Sequence, residues 1–64
     1  MLTVNQSKMA ELLNVTAKTI IMWEKENGFP VIRQLGKAPE YPVKKCFQWR
    51  YKEDWEYFFN KMIG

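Results

Sequence analysis

The sequence has no His, a single Cys, three Gly and three Pro in 64 residues. With one thiol and no imidazole, a disulfide framework and a zinc cluster both lack ligands, and the usual nucleophile and base constellations lack their commonest base. No apolar run approaches the roughly 18 to 20 residues of a membrane span, and Met1-Leu2-Thr3-Val4-Asn5 has neither the basic region nor the apolar stretch of a signal peptide. Length is scarce too. A chain this short buries only about 60% of the surface its unfolded form exposes, which allows one modest core and leaves no room for a second domain or a deep substrate cleft. A large enzyme is excluded. The expectation is one cytoplasmic domain with no catalytic residue, no metal and no cofactor.

Aromatic residues are abundant instead, at 16% of the chain. Each buries a large apolar area, which suits a small domain with no covalent or metal staple. The formal net charge of +3 is unevenly spread. Residues 1–28 balance Lys8, Lys18 and Lys25 against Glu11, Glu24 and Glu26, and residues 51–64 set Lys52 and Lys61 against Glu53, Asp54 and Glu56. Between them, Arg33, Lys37, Lys44, Lys45 and Arg50 face only Glu40, so a polyanionic partner is expected to meet the middle of the chain.

Met9 and Leu13 stand at helical spacing after Asn5 and Ser7, both suitable caps, and predict a first helix over 5–13 with Leu2 and Val4 tucked beneath it. Asn14 tolerates the left-handed conformation that ends a helix, and Thr16 is a good cap for a second helix over 17–27. In that helix Ile20 and Trp23 share one face, while Lys18, Ile21, Met22 and Lys25 point the opposite way. Asn27-Gly28 ends it, and Phe29-Pro30 requires extended backbone. Val31-Ile32-Arg33, the turn-like Gln34 to Pro39, and Glu40-Tyr41 predict a small β-hairpin over 31–41. From Pro42 onward no Gly or Pro recurs before Gly64, and Val43, Cys46, Phe47, Trp55, Phe58, Phe59 and Met62 fall largely on one stripe, predicting a long helix over 43–62.

The spacing of the first two helices carries the functional signal, because a helix-turn-helix demands several steric fits at once. Met9, Leu13, Val15, Ile20 and Trp23 are apolar, Ala10 is small where the helices touch, and Asn14 accepts φ > 0. Such a unit presents its second helix to the DNA major groove. Lys18 and Lys25 then face phosphates or a guanine edge, Thr16 and Thr19 flank the helix amino terminus, and Ile21 and Met22 are placed for thymine methyls. Adjacent Ile21 and Met22 on a solvent face are costly unless that face meets a partner. The following loop, with Arg33, Gln34 and Lys37 around Gly36, reads as a basic wing for the backbone or minor groove. Lys44 and Lys45 are further candidates for backbone contact. The alternative is a helical hairpin whose charges merely solvate it. Six aromatics from Trp49 to Phe59 predict either a helix wrapping the small core or a partner interface, and Cys46 reads as a core hydrophobe.

The run Val4-Asn5-Gln6-Ser7-Lys8-Met9-Ala10-Glu11-Leu12-Leu13-Asn14-Val15, with Lys18-Thr19-Ile20, Trp23-Glu24, Gly28-Phe29-Pro30-Val31, Gly36-Lys37, Tyr41 and the Trp49 region, resembles the DNA-binding domain of lambda-type phage terminase small subunits. The resemblance spans nearly all of residues 3–57. It departs at Pro42, where the family tends to carry a polar cap, and in a wing without a run of glycines. It implies a winged helix-turn-helix of three helices and one wing that recognises packaging-site DNA as a homodimer and recruits a large subunit, an ATPase and nuclease. It further implies a phage or prophage protein in a bacterial host, with the large-subunit docking region outside these 64 residues. Phage excisionases and the heads of MerR-type transcriptional regulators share the Thr-Ile-x-x-Trp helix and the Gly-aromatic-Pro turn, and are the alternatives within DNA binding. A protein-interaction adaptor using the aromatic helix is the alternative of another class.

Overall fold

Local capping chemistry sets the first half of the chain. The computed structural model describes residues 2–63; Met1 and Gly64, the outermost residues of the expected domain, lie outside them. A short strand β1 (Thr3–Val4) leads to Asn5, which is extended and accepts the Lys8 N–H on its side-chain oxygen at 2.8 Å, opening α1 (Gln6–Leu13). Asn14 ends α1 in the left-handed region, at φ 57° and ψ 45°. The Val15 N–H then reaches the Ala10 carbonyl at 2.9 Å, folding the turn onto a residue with almost no side chain. Thr16 caps α2 (Ala17–Asn27) by accepting the Thr19 N–H at 3.2 Å, and Gly28, at φ 68°, closes it with an N–H to the Trp23 carbonyl.

The expected hairpin over 31–41 does not form as two paired strands. Ile32 and Glu40 exchange two backbone bonds, of 2.8 and 3.0 Å, as a single bridge. Continuing that register inward would set Pro30 against Pro42, and neither has an N–H to donate. The second strand, β2 (Tyr41–Pro42), pairs antiparallel with β1 instead, Thr3 opposite Pro42 and Val4 opposite Tyr41. This pairing holds Leu2 at the rim, 56% exposed, so that only Val4 packs toward the core and the expected burial of Leu2 fails. The Leu2 carbonyl accepts the Val43 N–H at 3.1 Å.

The expected helix over 43–62 is broken. α3 (Val43–Tyr51) stops at Lys52, whose φ of 56° and ψ of −119° are not helical; one 3-10 turn (Lys52–Asp54) then starts α4 (Trp55–Ile63). Packing explains the break. Folding back puts Phe59 edge-on to Phe47, with centroids 5.8 Å apart, and stacks Phe58 on Tyr51 at 4.0 Å. A straight helix would carry Trp55, Phe59 and Met62 past the small core into solvent. Phe58, expected on the buried stripe, lies at its edge and stays 36% exposed.

The core joins Met9, Ala10 and Leu13 of α1, Ile20 of α2, Phe29, Tyr41, and Val43, Cys46 and Phe47 of α3, with Trp23, Trp49, Trp55 and Phe59 partly buried around it. The result is a mainly helical fold with a small two-stranded antiparallel sheet. Among the described residues no helix is long and apolar enough to cross a membrane.

Candidate nucleic-acid interface

Helical periodicity divides α2 between two environments. Ile20 is fully buried and Trp23 packs on Phe29 and Trp49, at centroid distances of 5.7 and 5.2 Å. On the opposite side Ile21 and Met22 are 42% and 46% exposed, and Lys18 and Lys25 are exposed beside them. Lys18 and Lys25 are seven residues apart, about 10 Å along the helix axis. Thr16 and Thr19 share a hydroxyl hydrogen bond of 2.9 Å at the amino-terminal end. All six of these expected contact residues, with Glu26, line one shallow groove of about 390 Å³.

Arg33, Gln34 and Lys37 do not line that groove. Gln34 and Lys37 close the loop turn through a backbone bond of 3.1 Å, with Gly36 supplying the positive φ of 78° that the turn needs. Arg33 is engaged elsewhere. Its Nη2 donates to Glu24 Oε1 at 2.6 Å, while the Tyr41 hydroxyl donates to the other carboxylate oxygen at 2.9 Å. Gln6 Nε2 in turn donates to the Tyr41 oxygen at 3.3 Å, so one carboxylate ties α1, α2, the 31–40 loop and β2 together. The Glu24 side chain is only 7% exposed. Sequence reasoning missed this role, although Glu24 stands four residues after buried Ile20. A carboxylate on the inward face of a helix demands a cation or a donor.

No protein-family model, curated protein or solved structure matches the chain.

The chain's other cations are sorted by what they touch. Lys8 pairs with exposed Glu11 at 3.8 Å. Lys44 lies over Trp55, Arg50 over Trp23 and Tyr51, Lys52 over Trp49, and Lys61 over Tyr57, at 5.3 to 5.8 Å from the ring centroids. Among the described residues, Lys18, Lys25, Lys37 and Lys45 have neither an acidic partner nor a ring beneath them. The free positive charge is thus concentrated on the outer face of α2, the loop tip and the first turn of α3.

Two buried groups are tuned away from charge. Burial raises the Tyr41 phenol, and although Gln6 donates to its oxygen, the hydrogen bond to Glu24 and that carboxylate's charge add to the rise. Burial also pushes the Cys46 thiol up to about 12, with the charge of Glu24 adding to it. Its Sγ donates to the Pro30 carbonyl at 3.4 Å, which makes it a packing residue that also anchors the loop. The aromatics of the last two helices are mostly spent on packing. Trp49, Tyr51, Trp55 and Phe59 pack on the core, and only Tyr57, 64% exposed, and the edge of Phe58 face outward.

Proposed function

We propose that the protein binds double-stranded DNA in a sequence-specific manner, as a winged helix-turn-helix. In this reading α2 enters the major groove and the 31–40 loop is the wing. The observation that carries it is the outer face of α2: two lysines with no acidic partner among the described residues flank two exposed apolar side chains, and two hydroxyls sit at its amino-terminal end. Lys18 and Lys25 supply phosphate or guanine contacts, Ile21 and Met22 meet thymine methyls, and Thr16 and Thr19 bond to the backbone. Lys37 at the wing tip and Lys45 at the start of α3 add backbone contacts. A solvated face would not need Ile21 and Met22 side by side.

The finer proposal is packaging-site recognition in the manner of a phage terminase small subunit, supported by the sequence run from Val4 to Tyr41 that resembles that family. It carries with it a homodimer on the DNA and a large subunit as the further partner. An electrophoretic titration on random duplex at two salt concentrations tests the DNA reading, since affinity should fall steeply with salt. Lys18→Ala should reduce the slope of log K against log salt by about 0.9 and leave the melting temperature unchanged. No binding at low salt would sink the reading. Selection from a random DNA pool should return two half-sites at fixed spacing.

A further inference from the structure

The Glu24 carboxylate lies in α2 between the groove-facing Met22 and Lys25, yet it faces inward and is almost wholly covered. Both of its oxygens are used: one takes the Arg33 guanidinium at 2.6 Å and the other the Tyr41 hydroxyl at 2.9 Å. A guanidinium bonded to a covered carboxylate gives up more by moving to phosphate than a free lysine does, because leaving strands a desolvated negative charge. Tyr41 cannot follow it out, being fully buried and hydrogen-bonded to Gln6. The Ile32–Glu40 bridge also keeps the base of the loop in place beside Arg33.

We propose that Glu24 is a positioning residue that withholds Arg33 from DNA and fixes the wing against the recognition helix, leaving Lys37 as the wing's phosphate contact. The proposal rests on the DNA-binding reading above. It assigns Arg33, the most obvious basic residue of the loop, to holding the wing in place. It also makes Glu24 a determinant of selectivity: one fewer sequence-independent phosphate contact lowers affinity for random DNA while leaving the groove face of α2 untouched.

The test is the salt slope of binding to random duplex for the wild type, Glu24→Gln, Arg33→Gln and the double variant, with a thermal melt of each. Gln keeps an acceptor for the Tyr41 hydroxyl and removes the charge that holds Arg33. Glu24→Gln should tighten random-duplex binding several-fold and steepen the slope by about 0.9, one phosphate's share on B-form DNA. The double variant should return to the wild-type slope, and Arg33→Gln alone should not change it. Salt-dependent wild-type binding with an unchanged Glu24→Gln slope overturns the proposal and leaves the DNA reading intact. A loss of about 0.9 in Arg33→Gln alone also overturns it, even if Glu24→Gln fails to fold, because Arg33 would then already be on phosphate. Absence of wild-type binding at low salt removes the DNA reading and the proposal together.

Discussion

Cys46 illustrates how far burial alone can set a side chain's chemistry. Its thiol is fully buried, bonded to the Pro30 carbonyl and raised from an ordinary 9.0 to about 12. The folded state therefore keeps a proton that the unfolded chain releases above pH 9.0. The thiol's contribution is complete below that pH and is lost as the pH climbs toward the folded value. We expect stability to fall across that alkaline window by up to about 1.4 kcal/mol per pH unit from this group, and the Cys46→Ala variant to show a shallower decline. Urea melts of both proteins at a series of alkaline pH values check this. Burial raises Tyr41 as well, so it adds to the decline in the same direction in both proteins. The same burial makes Cys46 inert to thiol reagents in the native protein and reactive once it is denatured.

At the scale of elements, the break between α3 and α4 is the costliest piece of backbone. Lys52 holds a φ of 56° with a ψ of −119°, a conformation that Gly adopts readily and a residue with a Cβ adopts only under strain of about 1 to 3 kcal/mol. Lys52→Gly gives up the cation over Trp49, worth about 0.5 kcal/mol at an exposed site. The net expectation is a gain of about 1 kcal/mol, measured by urea denaturation. The sequence carries no Gly or Pro there to signal the break, because its cause is nonlocal: Phe58 and Phe59 turn back onto Tyr51 and Phe47. The ends of α1 and α2 were legible for the opposite reason, since Asn5, Asn14, Thr16 and Gly28 act on their own neighbours. The outward placement of Lys18, Ile21, Met22 and Lys25 on α2 was readable from 3.6-residue periodicity, and that of Thr16 and Thr19 from their place at the start of the helix. The Arg33–Glu24 pair spans two elements and depends on where the loop lands, and the missing donors of Pro30 and Pro42 fall opposite one another only once a register is fixed, so neither could be read from local pattern.

For the molecule as a whole, the long-range ties converge on the segment after the loop. Tyr41 pairs with Val4 through the backbone and with Gln6 and Glu24 through its hydroxyl. The Trp49 indole donates to the Asn27 carbonyl at 3.3 Å, and its ring meets Phe29 edge-on at 4.9 Å. Almost everything that unites residues 2–33 with residues 38–63 therefore bypasses the tip of the loop, where Leu35 is wholly exposed. The peptide chain across that tip carries little of the packing that holds the two parts together. Limited proteolysis between Leu35 and Lys37 should give two fragments that separate in denaturing gels yet co-elute as one native particle with unaltered Trp fluorescence, and immediate dissociation of the nicked protein would refute this. The two fragments, made separately, should then reconstitute one another on mixing, turning an intramolecular fold into a concentration-dependent association.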